Sequence, residues 1–175
     1  MRRALCLLLA LASGCLIEPD VPPGPPARPA SLAPATVEIV AVRDATGGDL
    51  REDEARALAE RVATRLATQA EARRKRRRPA IDVAAPGTAA DLRLEVEITR
   101  FSEGSRVLWF FPGLDAGQAA FGYTARLVRA KDGAVIARAE GGDASYRYLD
   151  APAGPRGALL EALAARLGRF VERRQ

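Results

Sequence analysis

The sequence predicts an α+β domain: a mixed or antiparallel sheet of four to five strands, with two helices packed on one face, in the order β-α-β-β-β-β-α. Three observations predict it. Leu92, Leu94, Val96 and Ile98 alternate with Arg93, Glu95, Glu97 and Thr99, the period-two signature of a strand with one core face and one wet face. Leu58, Val62 and Leu66 recur every fourth residue, as an amphipathic helix requires, and Leu159, Leu163 and Leu167 do so again near the end of the chain. Lys131-Asp132-Gly133 separates two further alternating runs and reads as a hairpin turn.

In chain order, Thr36 to Arg43 is rich in β-branched residues and forms the first strand. Thr46-Gly47-Gly48 turns the chain, and Asp49 with Glu52 three residues later has the spacing of a capping box. The first helix then runs from about Leu50 to Arg77, with Ala55, Ala59 and Ala63 flanking its leucine stripe, and Pro79 ends it. Ile81-Asp82-Val83 is a short strand, and Asp91 to Phe101 is the strongly alternating one. Ala119 to Ala130 pairs through the hairpin with Ala134 to Glu140. Gly141-Gly142 and the aromatic pair Tyr146 and Tyr148 lead to a proline-flanked loop. The last helix, Arg156 to Arg173, carries Leu159, Leu160, Leu163, Leu167, Phe170 and Val171 on one stripe.

Composition narrows the chemistry. The 175 residues include no histidine, and the two cysteines, Cys6 and Cys15, both lie in the first fifteen positions. Histidine acid–base catalysis, cysteine nucleophiles within the domain and the usual zinc ligand sets therefore have no donors. We expect a non-enzymatic protein with no catalytic residues, no metal and no cofactor. Ser102, Ser105 and Ser145 have no histidine to activate them. Glu95 and Glu97 share a strand face with Arg93, which reads as a solvated, charge-mixed surface and not as a catalytic carboxylate pair.

The formal charge of +5 is local. Without Arg2 and Arg3 the chain holds 25 basic and 22 acidic side chains, and Arg73, Arg74, Lys75, Arg76, Arg77 and Arg78 alone supply six of the positive charges. The remainder is net acidic, so nucleic acid is not an expected partner. The basic run has two readings. It complements the negative C-terminal end of its own helix, or it meets anionic lipid head groups or envelope polymers.

Residues 1–14 have the layout of an exported precursor: Arg2 and Arg3, then the apolar run Ala4 to Ala12. Nine helical residues reach about 14 Å, too short for a hydrocarbon core of about 30 Å. The run ends in Leu11-Ala12-Ser13-Gly14-Cys15, which resembles the bacterial lipobox, with Ala12 where that motif most often has Leu. The resemblance implies lipidation of Cys15 and cleavage in front of it. Three acyl chains exceed the two-signal threshold for stable anchoring. Leu16, not Asp, follows the cysteine, which by resemblance to proteobacterial sorting implies the outer membrane, facing the periplasm. Residues 15–35 carry the lipidated cysteine and a tether with seven prolines between Leu16 and Ala35. At about 3 Å per residue in polyproline II form it reaches some 60 Å. Residues 36–175 form the single α+β domain.

Asp91 to Glu172 resembles an uncharacterised family of bacterial envelope lipoproteins. The shared pattern is a Gly-x-Arg turn, here Gly104-Ser105-Arg106, a glycine-rich loop from Gly113 to Gly117, and the Asp-Gly hairpin turn at Asp132-Gly133. The element order is also similar to that of the periplasmic domain of the curli secretion channel lipoprotein and of outer-membrane activators of peptidoglycan synthases. These likenesses imply a membrane-held protein that binds another envelope component, a protein or polymer, or else an oligomeric secretion or assembly accessory. Trp109, Phe110 and Phe111, between glycines, are candidate contacts with a partner or membrane. The alternative for these rings is that they fold back to close the sheet. The Arg73 to Arg78 run is the second candidate contact.

Overall fold

The computed structural model describes residues 35–85, 87–105 and 117–174. The expected cleavage region, Cys15 and most of the tether lie outside these residues, as do Trp109, Phe110 and Phe111. The elements are β1 (Ala35–Asp44), α1 (Glu52–Lys75), β2 (Ile81–Val83), β3 (Leu92–Ser102), β4 (Ala119–Arg129), β5 (Val135–Ser145) and α2 (Gly154–Glu172), with one 3₁₀ turn at Tyr146–Tyr148. Among the described residues this is the predicted β-α-β-β-β-β-α order, with a five-stranded sheet at the upper end of the four to five strands expected.

The sheet is mixed, with spatial order β2-β1-β3-β4-β5. β1 pairs in parallel with both β2 and β3, because α1 carries the chain from the far end of β1 back to the start of β2. β3, β4 and β5 form an antiparallel meander. On β3 the buried residues are Leu92, Leu94, Val96, Ile98 and Phe101, with the phase shifted after Ile98 by an extra residue opposite β4. A similar irregularity in β1 between Ile39 and Ala41 leaves Val40 47% exposed.

Both helices cover one sheet face. α1 buries Leu58, Val62, Leu66 and Ala70, and α2 buries Leu159, Leu160, Leu163, Leu167, Phe170 and Val171. Each helix returns from the same end of the sheet, so the two lie side by side in parallel. Arg61 Nη1 donates to Gly157 O at 3.2 Å near their starts, and Gln69 Nε2 to Glu172 Oε2 at 3.2 Å near their ends. The opposite sheet face is wet and charge-mixed, with Arg93 Nε 3.7 Å from Glu38 Oε2 and Arg126 Nε 3.6 Å from Glu95 Oε2.

Two local readings change. The N-cap of α1 is Arg51, not Asp49, and the carboxylate that reaches back belongs to Glu54, not Glu52: Glu54 Oε2 accepts from Arg51 N at 3.0 Å. The first turn is displaced because Asp44 takes over the preceding loop, accepting from Thr46 N at 2.9 Å and Gly48 N at 2.8 Å. Gly141 and Gly142, placed by the sequence after the last strand, lie within β5, which continues to Ser145. They are glycines for want of room. A Cβ at Gly142 would stand 2.5 Å from Phe121 O, and one at Gly141 3.2 Å from the Tyr123 hydroxyl.

Leu94 is fully buried in the central strand. Replacing it with alanine is expected to cost about 2–5 kcal/mol, while Val40→Ala stays within about 0.5 kcal/mol. Denaturant midpoints measure both, and equal shifts would contradict this assignment of core and surface.

Candidate functional site

The end of β3 is drawn into a narrow neck. Ser105 N donates to Gly117 O at 3.0 Å, so the two borders of residues 106–116 are tied together. Gly104, in the left-handed region at φ 72°, allows this approach, since a Cβ there would meet Gly117 O and Ala119 N at 2.5 Å. The neck is fastened to both helices by one guanidinium. Arg156, in the first turn of α2, donates through Nε and Nη2 to the two oxygens of Glu54, a bidentate pair. Its Nη1 donates to Glu103 Oε1 at 2.6 Å, and Nη2 also reaches Asp49 O at 2.6 Å. The guanidinium carbon lies 5.0 Å from the centroid of the Phe101 ring.

Glu54 is the one buried charged residue among the described residues, 5% exposed. The Arg156 guanidinium holds its carboxyl down at about 2, against burial, which pushes it up, and with help from Arg51. Arg156 is in turn held above its ordinary value by Glu54, against its own burial, and by Glu103. A carboxylate this firmly ionised and this fully engaged is a structural anchor. It is a poor proton donor or acceptor at neutral pH.

The Arg73 to Arg78 run lies at the other end of α1, about 28 Å along the helix axis from Glu54. Its first half is occupied: Arg73 Nε donates to Pro79 O at 2.8 Å, Arg74 pairs with Asp82, and Lys75 Nζ lies 2.7 Å from Glu71 Oε1. Backbone bonds from Arg76, Arg77 and Arg78 to the Arg73 and Arg74 carbonyls close the helix, with Arg77 at φ 54°. The first three residues serve the helix end, while the exposed side chains of Arg76, Arg77 and Arg78 have no partner among the described residues. This is also where the chain enters the sheet. Thr36 is registered beside Asp82, the partner of Arg74, and its N and Oγ1 donate to Asp91 Oδ2 at 2.8 and 2.9 Å.

The structure thus keeps the two sequence candidates apart. The borders of the segment that holds Trp109, Phe110 and Phe111 lie at the end where both helices start, and the arginine run lies at the end where α1 stops. Glu95 and Glu97 sit on the wet face of β3, Glu95 beside Arg126 and Glu97 registered against Arg43 and Thr124. No group of histidine, cysteine or acidic side chains arranged to hold a metal ion occurs among the described residues.

Residues 32–147 match the family described as a domain of unknown function, DUF4410. The chain belongs to the DUF4410 family. The match stops within the 3₁₀ turn, yet α2 lies beyond it and completes the core of this DUF4410 domain. No curated protein matches the chain. Among solved structures the fold is similar to PelC from Paraburkholderia phytofirmans, a dodecamer. One form, a variant, is 17% identical over 83% of this chain and 92% of that one, with a TM-score of 0.51. A second form is 19% identical over 77% and 90%, with a TM-score of 0.50. Lipoprotein GNA1162 from Neisseria meningitidis is 12% identical over 77% of this chain and 96% of that one, with a TM-score of 0.43. At these identities the likeness is one of fold.

Two features escape the sequence reading. The Glu54–Arg156 pair joins residues 102 positions apart, and its only local trace is the Arg51-x-x-Glu54 spacing at the helix start. Arg166, Arg169 and Arg173 form a second basic stripe beside the leucines of α2, at a helical spacing that was open to view but overshadowed by the denser run at Arg73.

Because the folded Glu54 carboxyl ionises near 2, below its ordinary 4.5, its stabilisation is complete above about pH 4.5 and is lost as pH falls towards 2. That swing is about 3 kcal/mol. Glu54→Gln should flatten this part of the stability–pH profile and, by leaving Arg156 without its buried partner, cost about 3–5 kcal/mol at pH 7. Thermal melts of both proteins from pH 2 to 7 measure it. A profile unchanged by the substitution would contradict the assignment.

Proposed function

We propose that this DUF4410 protein is a lipid-anchored component of the bacterial cell envelope, held through Cys15 at the outer membrane on its periplasmic side, and that its domain works by binding another envelope component and not by turnover. The observation that carries the reading is the polarity of the domain. The strand that receives the proline-rich tether starts beside the Arg73–Arg78 cluster, so the basic end is the tethered end. Close to an anionic membrane surface each such charge adds about 1 kcal/mol of attraction. The neck that borders Trp109, Phe110 and Phe111 lies at the opposite end, where a partner is met.

The absence of histidine from the chain supports a contact role. So does the use of the buried Glu54 carboxylate as an anchor. A second reading, assembly into an oligomeric secretion or assembly accessory, is favoured by the likeness of the fold to PelC, whose solved forms are dodecamers.

Mass spectrometry of the amino terminus of protein extracted from its native membranes tests the anchor. The expected result is a chain that starts at an acylated Cys15, and an unacylated residue or a cut elsewhere would overturn the reading. Cys15→Ser is expected to move the protein out of the membrane fraction. Light scattering of the detergent-extracted protein separates the two modes of action: a ring-sized mass favours assembly, and a monomer favours binding as a single domain.

A further inference from the structure

β5 is a free edge of the sheet, 11 residues long and without proline, whereas β2 at the other edge has 3 residues. The direction of its backbone groups follows from the ends of the ladders. Ala130 N donates to Asp91 O, and Arg129 N to Ala134 O, so even-numbered residues of β4 bond to β3 and odd-numbered ones to β5. The register then commits the N–H and C=O groups of Ala137, Ala139, Gly141 and Asp143 to β4. Those of Arg138, Glu140 and Gly142 point away from the sheet. Ala144 N, next in that row, takes the Asp143 carboxylate as its acceptor at 2.9 Å. No backbone partner meets the outward row among the described residues. A long, unblunted edge of this kind is a template for another strand.

Side chains along this edge are sorted by face. Arg138 and Glu140 stand exposed on the wet face, and Ala137, Ala139 and Gly141, all small, stand on the helix face. The sheet neutralises neither charge. Arg138 lies opposite Arg126, which is held by Glu95, and Glu140 lies opposite Thr124. Neither Arg138 nor Glu140 has a side-chain partner among the described residues. A base and an acid at successive outward positions of an open edge form a self-complementary pattern, because the same strand read in the opposite direction sets acid against base and base against acid.

We propose that β5 pairs with β5 of a second copy of this chain, antiparallel, about a twofold axis at Ala139. In that register Arg138 of each copy faces Glu140 of the other on the wet face, and the two residues exchange backbone hydrogen bonds as well as charge. Ala139 faces Ala139, and Ala137 faces Gly141, so the closer, non-hydrogen-bonded positions carry the smallest side chains. The register is selective. The smallest slip that keeps like faces together sets Arg138 against Arg138 or Glu140 against Glu140, which is repulsive. α2 packs over β4, so α2 and its copy stand three strand spacings apart, about 14 Å, with room for the joined strands between them. The contact is isologous and closes at two copies. The two arginine runs at residues 73–78 then point opposite ways, so a flat surface meets one of them end-on. A ladder this short buries less than the roughly 1,200 Å² of a stable interface, which makes the pair weak and exchangeable. The pairing goes beyond the anchor reading, and it differs from a ring, which a twofold edge contact does not build by itself.

Disulfide trapping of the full chain in its native membranes tests the pairing, with the parent chain as the background for Cys6 and Cys15. Ala139→Cys stands on the axis, where a Cα separation of about 4.5 Å permits a disulfide, and it is expected to give a covalent dimer under mild oxidation. Ala144→Cys, exposed on the same strand but far from its own copy, is expected to stay at background. In the Ala139→Cys chain, Arg138→Glu or Glu140→Arg alone is expected to weaken trapping at least about tenfold, and the exchange Arg138→Glu/Glu140→Arg to restore it. Equal trapping by the two cysteine variants, charge reversals without effect, or an exchange that fails to restore trapping would overturn the proposal. So would an Ala139→Cys adduct with a different protein. Light scattering separates the pairing from the assembly reading. A ring-sized mass that both reversals leave unchanged removes the edge contact and leaves assembly standing, and a dimer mass lost on reversal does the opposite.

Discussion

A carboxylate placed where two helices begin is the constraint on which the domain depends. Returning both helices from the same end of the sheet brings two N-terminal turns together, each with unsatisfied amides and partial positive charge. Glu54 serves one of these turns directly by accepting from Arg51 N. It serves the other through Arg156, whose guanidinium also grips Glu103 and the Asp49 carbonyl. The helices, the loop before α1 and the end of β3 are therefore referred to one buried point. A pair of this kind adds little compared with an apolar core of equal volume, but breaking one half leaves a stranded charge. Through it the starts of both helices and the end of β3 are bonded to one another.

The parts of this structure that were legible are those set by local period. β3 could be read residue by residue because its two faces meet different solvents. The leucine stripes of both helices were readable for the same reason. Glycine was misread where its reason is tertiary. Gly141-Gly142 looks like the end of a strand, yet both residues sit inside one because the Phe121 carbonyl and the Tyr123 ring press on them from β4. The cap of α1 was placed two residues early because Asp49 and Glu52 satisfy the motif on paper, while the Asp44 loop and the distant Arg156 decide which carboxylate turns inward. Strand order had no local signal at all. That β1 lies between β2 and β3, parallel to both, follows from the crossover through α1.

Of the candidate contacts, the arginine run was legible as a cluster but not as a mixture. Asp82, Glu71 and the Pro79 carbonyl engage its first three members and leave three outward. The α2 stripe shows the opposite case. Its arginines are spread through a leucine-rich helix, and Arg166 finds its charged partner, Asp143, on a strand more than twenty positions earlier. Function in a fold shared with proteins of distant sequence resides in such placements and not in the architecture.

The shared direction of the two helices has a consequence for how the body sits above a surface. Fixed positive groups collect where both axes finish, so the molecule has a foot and a crown. In solution the field of that foot reaches only the roughly 8 Å over which ions leave charge perceptible. A negatively charged surface would therefore turn the domain only at close range, foot first, and leave the crown outward.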